Sequence, residues 1–353
     1  MKGRRGDLSL CTSVSSLWNS VPVLQRLGRF INLFIKMKMK ISRRHFIRKS
    51  SIATAALTII PSAMRAQTVA QGANPVRLGG PVPGNFNDPA DWVKAVKSLR
   101  YTAAYCPVQP GAPVELIKAF REEAIRNNII ISEVGAWNNT LDPDDNARKE
   151  AIKKNIDALH LADEIGARCC VNISGARGEK WDGPYAGNYA RETFDLIVDN
   201  VRYIIDTVKP SAAYYTLEPM PYMLPDSPDS YLELIKAVDR KQFGAHLDPV
   251  NMISDPHMYF NNATFLKECF SKLGKYIKSI HAKDILIMPE LTLHLEERRP
   301  GLGTLNYTVF LQEAGKLKEI PFMLEHLSTQ EEYLLAANYV RETGKKAGIE
   351  IAG

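Results

Sequence analysis

Four short apolar runs in the C-terminal half of this chain each end in a side chain able to bind a metal ion or move a proton. Tyr214-Tyr215-Thr216-Leu217 leads into Glu218, and Ala245-His246-Leu247 into Asp248. Ser279-Ile280 leads into His281, and Phe322-Met323-Leu324 into Glu325. A lone carboxylate is costly to bury in such surroundings. Three that converge also repel one another, and a divalent cation answers both problems. Three carboxylates and one imidazole form an oxygen-rich set suited to Mn, and also to Mg, Co or Zn. The expected cofactor is therefore one divalent metal ion, Mn first, held by Glu218, Asp248, His281 and Glu325.

These runs are the last members of an alternation that fills the chain beyond residue 75. Strand-like segments at residues 76–83, 101–108, 129–137, 168–174, 212–219, 243–248, 277–284 and 322–327 alternate with helical ones. The helical segments cover residues 88–100, 113–127, 144–166, 189–208, 230–239, 263–273, 307–317 and 329–345. Eight such units in about 275 residues predict a parallel sheet closed into a single (β/α)₈ TIM barrel of the α/β class. Chemistry in that fold sits at the carboxyl ends of the strands, where all four residues fall. The connections after the fourth and seventh strands are long and should shape the substrate site. No GxGxxG follows the first strand, so no dinucleotide cofactor is expected.

Side-chain alternation along a strand sorts the remaining candidates. Lys283 shares a side with His281 and should face the mouth, to hold a substrate oxygen or to pair with a carboxylate. His246 shares a side with Asp248 but lies one layer deeper, behind the ligands or in the core. Glu133 and Trp137 share a side at the end of the third strand and are expected at the substrate, with Trp137 stacking on a sugar face or simply packing. Asn251 and His294 complete the expected substrate contacts, and Glu290 accompanies His294 in the loop after the seventh strand. His326 has the opposite parity to Glu325 and should point into the helix layer, and His257 has little to recommend it.

Glu218, His246-Leu247-Asp248-Pro249, His281-Ala282-Lys283-Asp284 and Glu325 together resemble the xylose isomerase-like sugar isomerase/epimerase barrels. Pro300-Gly301-Leu302-Gly303 with Leu305-Asn306-Tyr307 resembles their loop after the seventh strand, and the likeness spans residues 76–348. The resemblance implies a metal-dependent isomerase or epimerase in which Glu218 and Glu325 are both ligands and acid/base groups. Its reaction would be proton abstraction next to a carbonyl of a non-phosphorylated sugar or keto-sugar. Lys283 is the third catalytic candidate. Ketose 3-epimerases of that superfamily carry His where this chain has Asn251. The alternative is a 3-keto-glycoside lyase or hydrolase that releases an aglycone by β-elimination at the same site.

Charge narrows the partners. The net charge is +6, yet the first 66 residues hold 13 Lys and Arg against one Asp. Removing them leaves 32 basic against 38 acidic side chains, a net −6 for residues 67–353. An acidic body argues against nucleic acid, including the chemistry of the endonuclease IV barrels, which needs a basic groove. A small carbohydrate is the expected partner, and a homo-oligomer stays open. The five cysteines have no CxxC spacing, and most sit in apolar runs as small hydrophobes.

The basic segment reads as an address. Ser42-Arg43-Arg44-His45-Phe46 resembles a twin-arginine export signal, followed by an apolar stretch at residues 50–64 and small residues at Ala63 and Ala66. That stretch is too short for a comfortable membrane span, so no stable span is expected in the mature form. Residues 1–66 are therefore expected to be an extension plus signal, with Met37 or Met39 as a more usual start, and residues 67–353 the barrel. The expected destination is the periplasm. Mass spectrometry of the exported protein should find its N-terminus near Gln67. An exported protein that retains Arg43 and Arg44 would overturn this reading.

Overall fold

The computed structural model describes residues 74–353; the segment expected to be an export signal and Cys11 lie outside the described residues. The first strand, β1 (Val76–Gly80), is buried along its whole length. It is followed by α1 (Pro89–Ser98), β2 (Ala103–Ala104) and α2 (Val114–Arg126). The third barrel strand is split by Ser132 into β3 (Ile130–Ile131) and β4 (Glu133–Gly135). Then come α3 (Asp145–Ile165), β5 (Cys169–Asn172), α4 (Arg191–Val208), β6 (Tyr214–Leu217), α5 (Pro228–Val238) and β7 (Phe243–Leu247).

The remaining elements are α6 (Pro249–Met252), α7 (Pro256–Phe260), α8 (Asn262–Leu273) and β8 (Ile277–Ala282), then a hairpin of β9 (Asp284–Ile287) and β10 (Leu295–Arg298). The chain ends with α9 (Tyr307–Ala314), β11 (Pro321–Leu324), α10 (Gln330–Ala347) and β12 (Ile351–Ala352).

The pairing closes a ring. Parallel neighbours run β3-β2-β1-β11-β8-β7-β6-β5-β4, and β3 and β4 are two halves of one strand. This is the expected (β/α)₈ barrel. β12 adds a short parallel pair to β1. No described helix is long and apolar enough to cross a membrane.

Local chemistry explains most of the boundaries. Asp88 caps α1 by accepting from Ala90 N at 2.8 Å, with Pro89 at the first helical position. Asp144 caps α3, which stops at Gly166 with φ +77°. Cys169, Cys170 and Cys269 are buried and unpaired, as small hydrophobes should be.

Two features depart from the sequence reading. The stretch after β7 winds into α6 and α7, each with Pro after an Asp cap. The connection after β8 folds back as the β9–β10 antiparallel hairpin. Asp284 holds that connection in place. Its carboxylate accepts from the backbone N–H groups of Ile285, Gly301, Gly303 and Leu305, all at 2.9–3.0 Å. A Cβ on Gly303 would stand 2.3 Å from Asp284 Oδ1, so only glycine fits there. Asp284→Ala strands four donors, and a denaturant titration should show a loss of about 3 kcal/mol. A loss below about 1 kcal/mol would mean that this anchor is dispensable.

Candidate metal centre and active site

The four strand-end residues meet. Glu218 and Asp248 follow β6 and β7 directly, His281 lies within β8, and Glu325 follows β11. His281 Nδ1 is 2.7 Å from Glu325 Oε1, 3.2 Å from Glu218 Oε1 and 3.9 Å from Asp248 Oδ2. One donor atom from each residue lies within 4.8 Å of every other. Three of the four residues are buried and Glu325 nearly so.

Asp248 owes its orientation to the helix that follows. Its Oδ1 accepts from Val250 N at 3.0 Å and Asn251 N at 3.2 Å, capping α6 and leaving Oδ2 aimed at the centre. His281 is oriented from behind. Its Nε2 is 3.0 Å from Glu133 Oε1, while Glu133 Oε2 is 3.1 Å from His246 Nε2. The two imidazoles stand edge to face, 4.1 Å apart. A carboxylate behind a ligating imidazole fixes its tautomer, here leaving Nδ1 free for a cation. Glu133 was expected at the substrate. Both of its oxygens are taken by imidazoles, so it positions them from under the centre, and it also lines the cavity beside Trp137.

Lys283 reaches the same place from the strand position beyond His281. Its Nζ lies 2.7 Å from Glu325 Oε1, 2.8 Å from Asp248 Oδ2, 3.4 Å from Glu297 Oε2 and 3.5 Å from Glu218 Oε1. Asn251 donates from Nδ2 to Glu218 Oε1 at 3.1 Å and accepts from Lys283 at 3.4 Å.

Charge sets the protonation states. Burial pushes Glu218 up, but His281 and Lys283 outweigh it and hold it well below the usual carboxylate range. Burial likewise opposes ionisation of Glu325, and His281 again prevails. Asp248 is pushed up to about 6, by burial first and then by Glu218 and Glu325, against the pull of Lys283. Burial lowers His281, but Glu325, Glu218 and Glu133 raise it well above its ordinary value.

The donors suit a divalent cation. Asp248 Oδ2 and Glu325 Oε1 are buried and lack a hydrogen bond of good geometry; Lys283 Nζ lies beside both, and His281 Nδ1 beside Glu325 Oε1. Three carboxylates outnumber the single lysine, and Nδ1 of His281 completes a hard, mixed O/N set.

Two cavities open beside the centre. One, of about 450 Å³, is lined by Tyr105, Gln109, Trp137, Glu325, His326 and Tyr333 among others. Trp137 is 45% exposed there, and its indole lies on Gly135, where a Cβ would stand 2.1 Å from Nε1. The other, of about 520 Å³, lies under the β9–β10 hairpin, with Asn251, His294 and Glu297 in its wall.

His326 is the second correction. Its φ of +56° breaks the strand alternation. It therefore turns to the mouth, 60% exposed, with Nδ1 3.2 Å from Glu297 Oε2, and not into the helix layer. Glu297 and Tyr105 were not anticipated. Glu297 sits on a hairpin with no helical or strand signature of its own, whereas Tyr105 stands just past β2 and was findable by the strand-end rule. His294 pairs with Glu290 at 3.4 Å, and His257 is exposed on α7.

The sequence matches the xylose isomerase-like TIM barrel family over residues 90–343. The chain belongs to that family. Among solved structures it is similar to a xylose isomerase-like TIM barrel protein from Mycobacterium smegmatis in complex with magnesium, at 17% identity and a TM-score of 0.54 over 77% of this chain and 97% of that one. It is similar to D-psicose 3-epimerase with D-tagatose from Clostridium cellulolyticum H10, at 13% and 0.57 over 78% and 100%. It is also similar to 3-keto-D-glucoside 4-epimerase from E. coli, at 13% and 0.55 over 76% and 99%. At these identities the likeness is one of fold. No curated protein sequence matches.

Glu133→Gln should weaken divalent-metal binding by roughly 10–100-fold, as measured by calorimetry with Mn²⁺, and Asp248→Ala should abolish it. Unchanged affinity in both variants would remove Glu218, Asp248, His281 and Glu325 as the site of the ion.

Proposed function

We propose that this barrel is a divalent-metal-dependent isomerase or epimerase acting on a non-phosphorylated sugar or keto-sugar. Glu218, Asp248, His281 and Glu325 hold the ion, with Mn favoured and Mg, Co or Zn accepted, and the protein works in the periplasm after twin-arginine export. When bound, the ion polarises a carbonyl and so acidifies the neighbouring C–H.

The single observation that carries the reading is the approach of two glutamates, from the ends of β6 and β11, to the same His281 Nδ1. Burial opposes the ionisation of both, and Lys283 beside them favours the ionised form that a proton-accepting group needs. One carboxylate takes the proton from one face of the carbon, and the other returns a proton to the opposite face or to the adjacent carbon. Lys283 offers an N–H to the oxygen on which negative charge develops. Asn251 holds Glu218 and Lys283 in register through its amide. Trp137, beside Glu325, gives the sugar ring a face to stack on. Acidic Glu296 and Glu297 at the mouth disfavour a phosphorylated substrate.

The cavity beneath the hairpin favours a second outcome at the same atoms. A 3-keto-glycoside with a group seated there would lose its aglycone by β-elimination after the same proton abstraction. Released aglycone in place of an isomer tells the two apart.

The test is wash-in of deuterium from D₂O into a keto-sugar, followed by NMR. Glu218→Gln should slow exchange by about 10²–10⁴-fold in protein that still binds metal. Exchange at the parental rate in both Glu218→Gln and Glu325→Gln would rule out glutamate-mediated proton transfer.

A further inference from the structure

The strands start at the end of the barrel opposite the metal centre, and a cavity of about 490 Å³ opens there. Four cations line it: Arg121 of α2, Arg168 just before β5, Lys278 of β8 and Lys318 ahead of β11. One carboxylate, that of Glu319, faces them. The lining thus carries an excess of three positive charges, in a body whose net charge is −6.

The single carboxylate is already shared. Among the described residues Arg168 alone of the four cations meets it, with Nη2 3.6 Å from Glu319 Oε2. Glu319 Oε1 also lies 3.8 Å from Arg77 of β1, a buried guanidinium whose Nε has no hydrogen-bond partner. Burial lowers the pKa of Arg77, and Arg168 lowers it further against the pull of Glu319. Arg121 spends one N–H on the Glu164 carbonyl at 3.2 Å and meets no acid.

Lys278 is set in place by three local features. The register of β7 on β8 shifts here, with Ala245 opposite Ile277 and His246 opposite Ser279, so Lys278 is the extra residue of a bulge. A bulge re-aims the side chain it carries. The stem crosses Gly244, where a Cβ would stand 2.7 Å from Lys278 Cγ. The ammonium ends over the ring of Tyr214, 3.7 Å from its centroid. A lysine that serves only solvation needs no such seat.

Groups of one sign gathered in a concave, partly apolar site focus the potential and draw counter-charged molecules. Guanidinium and ammonium groups match carboxylate and phosphate oxygens. Ile125, 70% exposed, and half-buried Ile130 offer apolar surface to a carbon skeleton. The volume lies within the ordinary range for a small-ligand site.

We infer that the amino-terminal end of the barrel binds a small organic anion with two or more negative charges, carried as carboxylates or as a phosphate. Lys278 and Arg168 hold its oxygens, Arg121 and Lys318 draw it in, and its carbon skeleton lies against Ile125 and Ile130. Tyr214 opens β6 and Glu218 follows its end, so this site and the metal centre occupy opposite ends of the same strand. The inference therefore does not depend on the reaction proposed at the mouth.

Calorimetry on the Mn²⁺-loaded full chain tests it, with isophthalate, phenyl phosphate and neutral isophthalamide as probes. One dianion should bind at least roughly tenfold more tightly than isophthalamide, and the tighter of the two tells carboxylate from phosphate. Added salt should weaken it. Lys278→Met keeps the stem and removes the charge, and should weaken dianion binding by roughly tenfold. Glu319→Gln removes the competing carboxylate and should tighten binding by about threefold, a gain that damaged packing would not produce. Unchanged melting temperatures show that both variants are intact. Binding of neither dianion, equal binding of isophthalamide, undiminished affinity in Lys278→Met or weaker binding in Glu319→Gln overturns the inference. So does binding that is lost in Asp248→Ala, since the anion would then sit on the metal ion.

Discussion

The mouth of this barrel gathers more buried negative charge than a protein interior tolerates without compensation. Glu218, Asp248, Glu325 and Glu133 all lie below the surface, and each pays for desolvation. The surrounding structure is arranged to meet that cost. Lys283 and His281 stand between the carboxylates, His246 faces Glu133, and the first turn of α6 donates to Asp248. Even so, Asp248 remains pushed up to about 6 by its neighbours, and two oxygens lack directed hydrogen bonds. A divalent cation would supply the compensation that the chain's own residues leave short.

That constraint explains why the centre has depth. The upper layer holds Glu218, Glu325, Lys283 and Asn251, which touch one another at the barrel mouth. The lower layer is Glu133 and His246, joined to His281 through the Glu133 carboxylate, and Glu133 also lines the cavity beside Trp137. A buried pair of imidazoles sharing one carboxylate is rigid, because each ring is held by packing as well as by its hydrogen bond. Rigidity beneath the ligands lets Nδ1 of His281 keep its aim whatever the loops above are doing.

The loops above are where the chain acquires its own character. Asp284 ties residues 301–305 to the end of β8, and this tether frees the hairpin to lean over the centre. Through Glu297 the hairpin reaches Lys283 and His326, so an element absent from the bare barrel contributes a charge to the mouth. Members of one fold family differ in substrate for this reason: the strand ends carry shared chemistry, and the insertions determine what reaches it.

The barrel and the convergence of its four strand-end residues were legible in the sequence because both depend on local regularities. The β-α alternation marks a parallel sheet, and strand ends of such a sheet converge on one face, so Glu218, Asp248, His281 and Glu325 had to approach each other. Side-chain parity likewise put Lys283 beside His281 and His246 a layer below Asp248, since a strand period of two holds wherever the backbone stays extended. Parity failed at His326, whose positive φ reverses the side it faces, and nothing local to Glu325-His326-Leu327 announces that turn. At Glu133 it gave the side but not the partners: only the closure of β4 against β5, with β7 and β8 across the barrel, sets its carboxylate under two imidazoles. The part played by Glu297 depends on a hairpin crossing the mouth, a contact made at long range in the chain, and such contacts are set by packing in three dimensions and not by any period along the sequence.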